Sequence, residues 1–169
     1  MATNNTKLQF VKDFANNKIV VTRIFDADID TVWDMWTKPE LLDQWWAPRP
    51  WKSETKSMDF RNGGRRVYAM VGPEGERHWA FGDFSNIVPG KSFDVRDGFS
   101  DENGTLNREM PQSDWKCTFE RSGNATKVVI TLIGPGEHLK RLLEMGFEEG
   151  FVSAMEGLDE ILASQSAGK

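Results

Sequence analysis

The stretch WKCTFERSGNATKVVITLIGPGEHLKRLLEMGFEEGFVSAMEGLDEIL, residues 115–162, changes its apolar period once, and that change decides the fold. Trp115, Cys117 and Phe119 alternate with Lys116, Thr118 and Glu120, the period of two that marks a strand with one dry and one wet face. Ser122-Gly123-Asn124-Ala125 turns this strand into a second one carrying Val128, Ile130 and Leu132. Gly134-Pro135-Gly136 then ends the sheet. From Glu137 to Leu162 the apolar residues Leu139, Leu143, Phe147, Phe151, Ala154, Leu158 and Ile161 recur at helical spacing. This predicts one helix of about 26 residues, roughly 40 Å long, enough to cross a small sheet. Gly146, Gly150 and Gly157 lie inside it at about 1 kcal/mol each relative to alanine. Two offsets are open: close approach to sheet backbone, or a groove that leaves room for a ligand.

Working back from this unit, residues 51–119 are short extended runs divided by turn chemistry at Asn62-Gly63-Gly64, Gly72-Pro73-Glu74-Gly75, Pro89-Gly90 and Asp101-Glu102-Asn103-Gly104, a meander. Further back, Val32, Trp33, Met35 and Trp36 follow helical spacing after a cap at Asp28 or Asp30. Pro39 starts a second short helix with Leu41, Leu42, Trp45 and Trp46, stopped by Pro48 and Pro50. The β-branched run Ile19–Phe25 is a strand. Residues 1–17 are expected as an extension in which Leu8, Val11, Phe14 and Ala15 make a short amphipathic helical turn, and residues 164–169 as a flexible tail. The domain proper is residues 18–163. The class is α+β: a curved antiparallel sheet of about seven strands, two short helices after the first strand, and a long C-terminal helix.

A chain of 169 residues suits one such domain. A net charge of −5 argues against a nucleic-acid backbone partner, and Arg61, Arg65 and Arg66 read as the solvated rim of the Asn62-Gly63-Gly64 hairpin. The lone Cys117 allows no internal disulfide, no window approaches a membrane span, and a polar start lacks a secretory signal, so the expectation is a cytoplasmic protein with no membrane partner. Asn4, Asn103 and Asn124 head Asn-x-Ser/Thr triplets that carry no weight in such a compartment. Seven Trp and eleven Phe against one Tyr are hard to pack without leaving space, which points to an internal hollow.

Leu41-Leu42-Asp43-Gln44-Trp45-Trp46-Ala47-Pro48, followed by Met58-Asp59-Phe60-Arg61-Asn62-Gly63-Gly64 with Tyr68 and Met70, resembles the pattern of the homologues of the activator of heat-shock chaperone ATPase, within the START-like, birch-pollen-allergen-like helix-grip superfamily (SRPBCC). Gly82-Asp83-Phe84, Ile87-Val88-Pro89 and Met145-Gly146-Phe147-Glu148-Glu149-Gly150 extend the match in order over residues 18–163, with Phe147 standing where relatives usually carry Trp. The resemblance implies a helix-grip fold with a cavity between sheet and last helix. It also implies three functional classes, since such folds host binding, cyclase and co-chaperone roles.

The sequence has no Gly-x-Ser-x-Gly elbow, phosphate-binding loop or dinucleotide fingerprint, and its two histidines, His78 and His138, stand far apart. No cofactor and no metal are expected. His138 reads as a solvated residue at a helix start, and Asp59 with Arg61 as a structural charge-assisted pair. His78 is the best acid–base candidate, against a structural role at a strand edge. The expected ligand wall is Trp36, Trp46, Tyr68, Met70, His78, Trp79, Phe81, Phe84, Phe93, Phe147, Phe151 and Met155, although strand alternation sets Trp79 and Phe81 opposite His78. The leading expectation is a binder of a small hydrophobic or aromatic molecule. The alternatives are a cyclase or aromatase-type enzyme in the same cavity, and a chaperone-ATPase-activator-like interaction protein, against which counts the missing room for a further N-terminal domain.

Overall fold

The computed structural model describes residues 8–167. Eight strands form one antiparallel sheet: β1 Leu8–Asp13, β2 Lys18–Phe25, β3 Lys52–Met58, β4 Arg65–Val71, β5 Arg77–Val88, β6 Ser92–Phe99, β7 Ser113–Ser122 and β8 Ala125–Ile133. Their spatial order is β1-β2-β8-β7-β6-β5-β4-β3, so the meander of six strands closes back onto β2. Register shifts between Thr55 and Ser57 in β3 and between Ser85 and Val88 in β5 are the bulges that bend the long strands.

The count of eight exceeds the expected seven because of β1. Leu8 to Asp13 pair with Arg23 to Lys18, and a 3-10 turn at Phe14–Asn16 reverses the chain, where the sequence had suggested a helical turn over Leu8, Val11, Phe14 and Ala15. The unpaired edge of β2 offers a full row of backbone partners, which a short isolated helix cannot match. Val11, grouped with the apolar side by helical spacing, is 52% exposed, while Leu8 is buried and Phe10 packs against Phe147.

Between β2 and β3 lie α1, Ile29–Thr37, and α2, Pro39–Leu42. The Asp28 carboxylate accepts from the Thr31 amide at 3.3 Å and caps α1, and Pro39 stands in the first turn of α2. After β8 the chain makes α3, Gly136–Glu144, and α4, Phe147–Ala167. The single helix expected over residues 137–162 is thus two. Gly146 has φ +91°, a left-handed conformation that glycine adopts without strain, and its amide bonds back to the Leu143 carbonyl. α4 continues to Ala167, so residues 164–167 are helical where a flexible tail was expected; residues 1–7 and 168–169 lie outside the described part.

The inner face of the sheet, α1, α2 and α4 enclose the core. The inward rows Ile19/Val21/Phe25 and Val128/Ile130/Leu132 meet Val32, Met35, Leu158 and Leu162. An aromatic cluster closes one end: Trp33 meets Phe60, Phe93 and Phe119 edge to face at 5.1–6.0 Å, and Trp36 meets Trp45 at 4.7 Å. Buried Arg23 pairs with Asp159 at 3.2 Å and ties α4 to β2.

Candidate functional site

The other end of the interior is hollow. Beneath the α3–α4 junction and over β4–β7 lies a cavity of about 390 Å³, lined on the sheet side by Tyr68, Met70, His78, Ala80, Asp97, Phe99, Ser113 and Trp115. Helix and loop residues Trp46, Pro48, Trp51, Pro111, Leu142, Met145, Phe147 and Phe151 complete it. Its volume falls in the range of about 300–1,000 Å³ typical of small-molecule sites. A second, inner hollow of about 40 Å³ lies deeper, among Trp36, Phe84, Phe93, Val95 and Cys117. That is well below the roughly 150 Å³ that holds a benzene-sized guest. Trp46, Tyr68, Asp97 and Trp115 border both spaces and form the partition between them.

Two of the three glycines in this stretch border the hollow instead of packing closely on the sheet. Gly146 and Gly150 line the cavity, and a Cβ at Gly150 would meet only Pro48, at 3.5 Å. A Cβ at Gly157 would have nothing within 4 Å, so neither expected offset applies there.

Of the residues expected on the wall, Met70, His78, Phe147 and Phe151 border the large cavity, Trp46 and Tyr68 border both spaces, and Trp36, Phe84 and Phe93 border only the inner one. Three do not belong. Trp79 and Phe81 occupy the opposite face of the sheet from His78, Ala80 and Phe84, as the alternation requires. There Phe81 packs under the loop after β6, against Gly98 and Leu106, with the Arg65 guanidinium 4.4 Å from its ring; the Lys56 ammonium sits 5.9 Å from the Trp79 ring. Met155 is fully buried in the core, away from both spaces. His78 stands exposed at the cavity rim, edge on to Trp51 at 5.3 Å.

A carboxylate that borders both spaces, Asp97, was not among the expected residues. β6 alternates Phe93, Val95, Asp97 and Phe99 inward, so Asp97 sits on the apolar face. In register it is opposite Gly82 on β5, which is opposite Arg66 on β4, and on its other side it faces Ser113 on β7. Gly82 contributes no side chain, so the Arg66 and Asp97 side chains act on one another across it, and a Cβ there would strike Val95 at 2.7 Å. The result is a polar row, Arg66–Gly82–Asp97–Ser113, across an otherwise greasy wall. Ser113 Oγ accepts from Trp115 Nε1 at 2.8 Å.

Arg66 departs from the expected hairpin rim. Its neighbours Arg61 and Arg65 are exposed and bound to Asp59 and Asp83, but Arg66 is 4% exposed and points inward. Its guanidinium donates to Thr55 Oγ1 at 3.2 Å, Ser53 Oγ at 2.9 Å and Asp43 Oδ1 at 3.3 Å, and lies 3.9 Å from the Tyr68 ring. Asp43 in turn accepts from Ser53 Oγ, the Thr55 amide and Thr55 Oγ1 at 2.7–3.0 Å. Burial lowers the Arg66 pKa, and the neighbouring Tyr68 and Asp43 oppose that shift.

Burial pushes the Asp97 carboxyl up to about 7, with Arg66 and the Tyr68 hydroxyl pulling the other way. Protein encloses it, yet it is half-buried by surface, because one side faces the cavity instead of packed atoms. Burial and the Asp97 charge likewise push the Tyr68 phenol up. Trp46 Nε1 lies near enough to Tyr68 to act on it electrically, but no acceptor meets it with hydrogen-bond geometry; Trp36 Nε1 also lacks a partner. His138, expected to be solvated, is half-buried with Nδ1 3.4 Å from the Gln112 carbonyl oxygen. Among the described residues no three His, Cys, Asp or Glu side chains converge as a metal site would need, and no helix is long and apolar enough to cross a membrane.

An antiparallel sheet gripping a terminal helix, with an apolar hollow at one end, defines a helix-grip domain of the START-like kind. The sequence profile of the Activator of Hsp90 ATPase homolog 1-like proteins matches residues 26–163, and the chain belongs to that family. A protein from Arthrobacter aurescens solved by NMR is similar at 30% identity and TM-score 0.88, over 94% of this chain and 93% of that one. A crystal structure from Mycobacterium smegmatis is similar at 28% identity and TM-score 0.83, over 91% and 95% of the two chains. One from Nitrosomonas europaea is similar at 25% identity and TM-score 0.75, over 90% and 98%. No curated protein matches the chain.

Proposed function

We propose that this protein binds a small hydrophobic or aromatic molecule in the cavity between β4–β7 and the α3–α4 junction. The observation that carries this reading is the 390 Å³ of space walled by Trp, Phe, Met, Leu and Pro side chains. Apolar walls supply affinity through burial, and the few polar groups supply orientation. Native mass spectrometry of the purified protein, with solvent extraction, is expected to detect a retained apolar compound, or a thermal-shift panel of apolar aromatic compounds to raise the midpoint. A ligand at 100 times its Kd stabilises by about 2.7 kcal/mol, and a silent panel together with an empty extract contradicts the proposal.

Asp97 supports a second reading, a cyclase or aromatase-type enzyme, because a carboxyl near neutral pKa inside an apolar cavity is suited to proton transfer. Turnover of a reactive polycarbonyl substrate that is lost in Asp97→Asn would distinguish catalysis from carriage. The chaperone-activating role in the family's description depends on surface contacts, on which this cavity does not bear.

A further inference from the structure

The polar row on the cavity wall specifies what kind of apolar molecule fits. We propose that Asp97, with Tyr68 beside it, receives the single hydroxyl group of an otherwise apolar ligand, a neutral phenol or alcohol whose ring system fills the space beneath the α3–α4 junction. The inference rests on the binding function proposed above and adds the chemistry of its deep end.

Three observations carry it. First, Asp97 is placed there by the sheet itself: register sets it between Gly82 and Ser113 on the inner face, and its exposed side opens onto the cavity. Second, the charges around it select against an anionic ligand. Arg66 borders only the inner hollow and is already held by Asp43, so a ligand carboxylate in the large cavity meets Asp97 with no free cation to balance it. Third, a hydroxyl suits both protonation states of Asp97, donating to the carboxylate and accepting from the acid, which neither an ether nor an ammonium does. The Tyr68 hydroxyl lies within interaction range of Asp97 and is fixed by a ring pressed against Arg66.

The test compares naphthalene, 2-naphthol and 2-naphthoate by tryptophan fluorescence titration at pH 7, with the full chain and the variants Asp97→Leu and Tyr68→Phe. Naphthol is expected to bind the unaltered protein at least about tenfold more tightly than naphthalene, and naphthoate more weakly than both. Asp97→Leu should abolish that preference, and Tyr68→Phe should reduce it; near-UV circular dichroism verifies that each variant is folded. Equal binding of naphthalene and naphthol, or a preference unchanged in both variants, overturns the hydroxyl inference and leaves the carrier reading standing. Failure of all three probes to bind overturns both.

Discussion

Asp43→Ala is expected to destabilise the protein by about 3–5 kcal/mol, the range for removing one partner of a buried ion pair. For a domain of this size that corresponds to a fall of roughly 10 °C in melting temperature. The side chain of Arg66 is 5% exposed, and Asp43 is the carboxylate that touches it, at 3.3 Å. Asp43 also accepts from Ser53 and twice from Thr55, so alanine orphans donors as well as a charge. Thermal and urea unfolding measure the loss. Asp43→Asn keeps a hydrogen-bonding group and should lose less, and Asp43→Ala combined with Arg66→Met should recover much of the deficit, because the buried charge is then gone. A loss below 1 kcal/mol in Asp43→Ala would show that Arg66 reaches solvent.

The second large effect depends on pH. Asp97 titrates near 7 in the native protein against 3.8 for an unperturbed aspartate. Between these values the unfolded chain releases the Asp97 proton while the native state keeps it, so the native state binds more protons and stability falls as pH rises through the window. Above about pH 7 both states are ionised and the loss is complete. At about 1.4 kcal/mol per unit its upper bound is about 4 kcal/mol, reduced by the solvent that reaches the carboxyl through the cavity. Asp97→Asn removes the titration and leaves Arg66 its bonds to Asp43, Ser53 and Thr55. The variant should match the parent near pH 4 and exceed it by about 2–4 kcal/mol at pH 8, as read from urea unfolding at a series of pH values. A difference that stays constant with pH would contradict the buried titration. A residue that costs stability at neutral pH is one expected from a functional site.

Much of the architecture was legible because it follows from local period. The alternation at Trp115–Glu120, the turns of the meander, Asp28 before α1 and Pro39 at the start of α2 all stand where the chain signals them. The misses were cases in which another part of the molecule decided. β1 forms because β2 has an open edge, which a local apolar pattern does not encode. α3 and α4 separate because Gly146 turns left-handed, although the periodicity runs through it. In the site, alternation separated His78 from Trp79 and Phe81, but composition had placed all of them on one wall. The same alternation, applied to Phe93-Asp94-Val95-Arg96-Asp97, puts Asp97 inward, so this carboxylate was readable. Arg66 was readable in the same way, since alternation along β4 puts it on the face of Tyr68 and Met70, but grouping it with Arg61 and Arg65 at the turn hid this.

The space beneath the α3–α4 junction is most directly tested by filling it. Ala80 points into that space from the first half of β5, and Ala80→Leu adds three carbons to its wall. Urea unfolding should give a free energy within about 0.5 kcal/mol of the parent or above it, since apolar atoms then occupy room the fold already provides. A loss of about 1–3 kcal/mol, the cost of forcing extra methylenes into a packed interior, would mean that the interior is full.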